Sequence, residues 1–188
     1  MKRIDKSSIH LVVKSLEIDE TITVVPYDDQ WVDVFKNEKT TLLNIFGTDA
    51  VEIEHFGSTS VRGMVAKPIV DILIGVSSLK LDESILHQLQ QRNYENFGEA
   101  GVEGRLYFRK RAEHAFNLAV VIFQGEHWVN NIQIRDYLRT HPQVAEQYSM
   151  HKRESIQKGI TTLLAYSDEK AEFVQSVLRQ AKKYSMEN

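Results

Sequence analysis

Apolar and polar positions along the chain alternate between helical and strand spacing. After Asp28 and Asp29, which suit a helix start, apolar residues fall at Trp31, Val34, Phe35, Leu42, Ile45 and Phe46, and Gly47 suits the stop. Upstream, TITVVPYD (21–28) reads as a strand ended by Pro26. Downstream, AVEIEHF (50–56) and PIVDILIGV (68–76) read as strands, DESILHQLQQRN (82–93) as a short amphipathic helix, and GRLYFRKR (104–111) and FNLAVVIF (116–123) as two more strands with a turn near Glu113. Everything after that is helical. GEHWVNNIQIRDYLRT leads into HPQVAEQYSMHKRESIQ, with Pro142 placed for a first helical turn. A last helix is expected from Ser167, with acids in its first turn, to Lys182 and Lys183, matching the helix dipole at both ends. The pattern predicts an α+β fold: an extension over 1–20, an α/β core with a mixed sheet and an N-terminal helix over 21–124, and a helical region over 125–188 packed on the core.

Composition narrows the function more than the fold. The chain has 188 residues, enough for one sizeable domain or one domain with a helical appendage, and no repeat or Pro/Gly-rich linker divides it. A net charge of −3 without any block of like charges gives no nucleic-acid footprint, although a local basic groove stays open. Cysteine is absent, which excludes disulfides, thiolate metal sites and cysteine nucleophiles and suits a reducing compartment. The first apolar run is short and broken by Lys14, unlike a signal peptide, and no run reaches the roughly 18 residues of a membrane span. The expectation is a soluble cytoplasmic protein with no membrane partner.

One stretch carries most of the chemistry: VEIEHFGSTSVRGMVAKPIVDILIGV, residues 51–76. Its second strand holds a single ionisable residue, Asp71, among isoleucines and valines. Strand alternation puts Asp71 on a face with Ile69, Leu73 and Gly75, opposite Val70, Ile72, Ile74 and Val76. A lone carboxylate near a buried strand needs a partner. A Gly-Ser turn just before it suits a phosphate, because turn N–H groups converge on anions; Gly57 admits a ligand to the backbone, and Ser58 adds a hydroxyl. Asp71 beside such a turn suits Mg²⁺, which prefers oxygen ligands and bridging phosphates. It equally suits an ordinary strand-edge Asp bonded to neighbouring N–H groups. No Walker loop is present, since Gly57 and Gly63 are too far apart and Met64 follows the second.

Residues 55–71 closely resemble the signature of the GrpB family, roughly H-x-G-S-T-S-V-x-G-x-x-x-K-P-x-x-D. PYDDQW, RLYFRKR, IQIRDYLRTHP and YSDEKAEFV extend the resemblance from about residue 22 to the last helix. The resemblance implies a core similar to nucleotidyltransferases, in which a Gly-Ser turn binds nucleotide phosphates and an Asp-x-Asp or Asp-x-Glu on the next strand binds metal. It therefore implies that Gly57, Ser58, Thr59 and Ser60 hold a nucleoside triphosphate, that Asp71 is the catalytic metal ligand for Mg²⁺, and that a nucleotidyl group passes to an acceptor. The chain departs from that pattern. Leu73 stands where a second acid belongs, and the later strand offers Asn117 and Ala119 but no acid. Two-metal transfer needs several carboxylates. Asp71 helped by Asn117 suits one ion better than two, and Glu54 has no assigned facing. These departures favour a non-catalytic module for a nucleotide or phosphorylated metabolite. The resemblance also leaves room for a helper domain with a protein partner, since similar domains occur fused to dephospho-CoA kinase.

Other groups each carry two readings. His55, beside the turn, reads as a ligand contact or as a core histidine sharing a face with Val51 and Ile53. Lys67 reads as a phosphate cation or a solvated lysine. Arg105, Tyr107, Arg109 and Arg111 share a strand face and read as a polyphosphate clamp or a charged sheet edge. Arg135 and Arg139, one helical turn apart, read as cleft cations or as partners of Asp136. The histidines show no zinc spacing, and no Gly-x-Ser-x-Gly elbow occurs.

Overall fold

A computed structural model describes residues 19–187. Helix α1 (Gln30–Phe46) leads through a short 3₁₀ turn to strands β1 (Ala50–Phe56) and β2 (Ile69–Val76). Helix α2 (Glu83–Gln91), strands β3 (Glu95–Asn96), β4 (Arg105–Arg111) and β5 (Ala115–Ile122) follow. Helices α3 (Glu126–Thr140), α4 (Pro142–Gln157) and α5 (Leu163–Glu187) complete the chain. The five strands form one mixed sheet in the order β1-β2-β5-β4-β3, with β2 and β5 parallel and the other pairs antiparallel. This is the α+β architecture the pattern predicts.

The alternation along β2 divides the sheet into two unlike faces. Ile72 and Ile74 join Ile53, Phe108, Leu118 and Val120 in a core closed by Leu42 and Phe46 of α1 and Ile85 and Leu89 of α2. On the other face, Leu73, Ala119 and Val121 pack against Trp128 of α3. Gly75 makes that contact possible, because a Cβ there would lie 2.8 Å from both Trp128 and Phe123. Helices α3, α4 and α5 meet in a separate cluster of Leu138, Val144, Ala145, Tyr148 and Val177, which also takes Val61 and Met64 from the loop after β1. Trp128 thus covers one end of the second face, and the helices part from it at the end that carries Asp71.

Two expected boundaries change. Residues 21–28 form no strand: Thr21 and Val25 each make one isolated bridge, to Thr162 and Ala66, because each meets the end of a helical connection or a loop rather than another strand. Helix α5 starts at Leu163 instead of Ser167. Its first turn is capped from a distance by Asp19, whose Oδ1 accepts the Leu164 N–H at 3.0 Å, while Ser167 Oγ donates to the Leu163 carbonyl at 2.8 Å, as a mid-helix serine does. Of the expected extension over 1–20, residues 1–18 lie outside the described residues. No helix among the described residues is long and apolar enough to cross a membrane.

Candidate functional site

The turn and the carboxylate are built against each other. Antiparallel register sets Phe56 opposite Asp71, so the residue after β1 sits directly beside the carboxylate. That residue, Gly57, has φ 67° and ψ −169°, a region essentially limited to glycine. A Cβ there would stand 2.5 Å from Asp71 Oδ2. Both the backbone and the neighbouring oxygen therefore require glycine. The turn closes through Ser60, whose Oγ donates to the Gly57 carbonyl at 2.6 Å.

Asp71 Oδ1 accepts from Asn117 Nδ2 at 2.7 Å, one strand across in parallel register. Asn117 Oδ1 in turn accepts from Tyr107 Oη at 2.8 Å and from Arg111 at 3.0 Å. Because a guanidinium only donates, the oxygen end of Asn117 must face Arg111 and its NH₂ must face Asp71. Arg111 is held by Glu20 through bonds of 2.6 and 2.9 Å. Asn117 is consequently an orienting group, and the expectation that it helps ligate a metal fails for this reason: its oxygen is already engaged and its donor end points at the carboxylate.

A cavity of about 530 Å³ opens between this half of the sheet and the helices, of a size that suits a nucleotide-sized molecule. Gly57, Ser58, Thr59, Lys67 and Asp71 line one wall, and Arg105, Tyr107 and Asn117 extend it along the sheet. The opposing wall carries residues that strand and motif reasoning did not single out, Tyr148 and Lys152 of α4 with Tyr166 and Lys170 of α5. Lys152 is buried; its Nζ stands 2.5 Å from Ser58 Oγ and donates to the Val65 carbonyl at 2.9 Å. Burial pushes Lys67 down to about 8, with Asp71 pulling the other way, and it lowers Lys170 against the same pull. Neither lysine hydrogen-bonds or pairs with a carboxylate at contact distance among the described residues. Arg105 donates only to the Glu99 and Ala100 carbonyls, at 3.3 and 3.4 Å. Lys67, Lys170 and Arg105 therefore line the cavity without a contacting counter-ion among the described residues.

The remaining candidates separate. Arg135 lines the cavity, but its charge is taken by Glu54 and Asp136. Glu54 lies on the Asp71 face, paired in register with Leu73, and serves that arginine. Arg109 turns to the sheet edge, 3.1 Å from Glu95 and over the ring of Phe97. Ser60 and Arg139 face a second concavity behind the turn, where Arg139 Nε donates to the Ser60 carbonyl at 3.0 Å. His55 lies on the other face of the sheet, stacked 4.8 Å from Phe35 and 2.9 Å from Thr59 Oγ1. It is a core histidine, and burial together with Arg139 and Arg135 pushes it down to about 4. The signal for the overlooked wall was present in the sequence. YSMHK and YSDEK both read Tyr-Ser-x-x-Lys, which puts tyrosine and lysine on one helical face. In each, the ammonium lies over its own tyrosine ring, at 4.1 and 5.4 Å.

The family model described as "GrpB protein" matches residues 21–180. This chain belongs to the GrpB family. It is 33% identical over 165 residues to glutamate-rich protein GrpB of Alkalihalophilus pseudofirmus, covering 85% of this chain and 95% of that protein. It is 31% identical over 164 residues to UPF0157 protein YqkA of Bacillus subtilis, covering 87% of this chain but only 48% of that longer protein. The crystal structure of conserved protein GrpB from Enterococcus faecalis aligns with a TM-score of 0.79 at 30% identity, over 86% of this chain and 99% of that one.

For this GrpB-family chain, the two-ion centre implied by the resemblance to nucleotidyltransferases does not fit the residues present. Asp71 stands beside the turn, Leu73 fills the next position on its face, and Asn117 offers Asp71 a donor. No group of three or more His, Cys, Asp or Glu side chains able to hold a metal occurs among the described residues.

Proposed function

We propose that the cleft binds a nucleotide or another phosphorylated small molecule, with protein cations neutralising the phosphates in place of a metal pair. The observation that carries this reading is the set Lys67, Lys170 and Arg105, lining with Asp71 and Asp168 a cavity of about 530 Å³. Half-buried cations without contacting counter-ions are costly, and an anionic ligand offsets that cost. Gly57 keeps the turn backbone open to the ligand, and Tyr107, Tyr148 and Tyr166 supply ring surface for the rest of it.

A second reading, nucleotidyl transfer to a hydroxyl acceptor, draws support from Asp71 Oδ2. No described residue hydrogen-bonds that oxygen, which leaves it able to accept a proton or to meet one Mg²⁺ carried in by the phosphates.

Thermal unfolding with a panel of nucleotides and phosphorylated metabolites, each with Mg²⁺ and with EDTA, separates the two. A ligand at 100 times its dissociation constant adds about 2.7 kcal/mol. The proposal expects a shift that survives EDTA, disappears in Lys170→Met and persists in Asp71→Asn. A shift that requires Mg²⁺ and vanishes in Asp71→Asn favours transfer, and product analysis then follows. No shift with any phosphorylated compound overturns both.

A further inference from the structure

Ser58 and Lys152 form a contact that phosphate binding alone does not explain. Ser58 Oγ and Lys152 Nζ stand 2.5 Å apart at the cavity wall, and Lys152 is only 2% exposed. The amine has one other polar partner among the described residues, the Val65 carbonyl at 2.9 Å. That carbonyl is fixed from behind, because the Ala66 N–H of the same peptide group donates to the Val25 carbonyl at 3.1 Å. Since a carbonyl only accepts, Lys152 must give it an N–H. The side of the nitrogen facing Ser58 is then free to hold a lone pair toward the hydroxyl. Burial and the like charges of Lys170 and Lys67 hold the ammonium well below the ordinary lysine range, against the pull of Asp71. A hydroxyl, a base within hydrogen-bond reach and a third group that orients the base make up the arrangement of an activated nucleophile.

We propose that Ser58 and Lys152 act as a serine–lysine nucleophile pair, oriented by the Val65 carbonyl, on a phosphoester or phosphoanhydride held in the cleft. Ser58 Oγ forms a bond to phosphorus while its proton passes to Lys152 Nζ. The bond from phosphorus to the leaving oxygen breaks with its electron pair on that oxygen, which takes the proton from Lys152. Water then attacks the phosphoryl-serine, giving its proton to Lys152, and Ser58 departs and recovers that proton. Lys67 and Lys170 face the charge that grows on the non-bridging oxygens. The substrate class rests on the anion-binding reading of the cleft; the pair itself does not.

The test is labelling of the full-length chain with a fluorophosphonate, which a nucleophilic serine attacks with loss of fluoride, followed by peptide mass spectrometry. The expected result is one adduct on Ser58, none in Ser58→Ala, and a rate lowered roughly 100-fold in Lys152→Arg, which keeps the charge but does not give up a proton. In the wild-type chain the labelling rate should rise with pH through a midpoint below the ordinary lysine value of 10.5. No adduct on Ser58 in a folded chain overturns the proposal, as does Lys152→Arg labelling at the wild-type rate. Should Lys152→Arg fail to fold, a wild-type rate that does not change with pH overturns it instead. Labelling without any nucleotide shift leaves the pair standing and removes the binding function. A nucleotide shift without labelling does the reverse.

Discussion

The two faces of strand β2 are built from one eight-residue segment and have opposite characters. Ile72 and Ile74 look into a core sealed by α1 and α2 and are fully buried. Asp71, between Val70 and Ile72, looks into a polar cleft. The first face is satisfied by its own neighbours, whereas the second sets Lys67, Lys152 and Lys170 within electrostatic reach of Asp71. Neighbouring residues of one strand thus face a sealed core and an open polar cleft. The polar face is kept only at the stability cost that its apolar counterpart offsets.

That contrast is open to attack at several strengths. Leu118→Ala, on the sealed face, should lose about 4 kcal/mol in denaturant unfolding and leave ligand shifts intact. Gly57→Ala should lose about 3 kcal/mol from backbone strain and contact with Asp71, and should also weaken ligand binding because the turn backbone is no longer open to the ligand. His55 tests the sealed face by pH. Its value falls from 6.5 to about 4 on folding, so in that window the unfolded chain binds a proton that the folded chain lacks. Stability should therefore drop by about 3 kcal/mol as the pH falls from 6.5 to about 4, and His55→Gln should flatten that slope. Lys170→Met should act in the opposite sense, raising stability by about 1 kcal/mol while weakening binding. A net loss of stability there would mean that the lysine is structural. The mildest effect is on affinity. Lys67 sheds its proton near pH 8, so affinity for a phosphorylated ligand should fall about tenfold by pH 9.

The sheet was legible because its apolar runs are long and their alternation is clean. Asp71 and Gly57 were legible because a charge among isoleucines and a glycine before a serine turn are local anomalies. The rest depended on contacts distant in sequence. Lys152 meets Ser58 across 94 residues, and in a helix of mixed polarity its burial leaves no mark beyond the tyrosine four positions earlier. Asn117 was rightly placed beside Asp71, yet the end of its amide that faces the acid is set by Arg111 and Glu20, which no spacing rule connects to it. His55 was ambiguous because a strand residue next to a functional turn points to either face according to register alone.

The bond from Asp19 to the start of α5 reaches across 145 residues. Together with Glu20 on Arg111, it ties an early segment both to the final helix and to the sheet. A ribosome releases residue 19 long before Leu164, so Asp19 waits without this partner through most of synthesis. Lys170 arrives on the same late helix. The sheet core can consolidate early from its local strands, but the pocket itself is a product of chain completion. A nascent chain stalled before α5 should therefore hold a packed sheet and have no affinity for an anion.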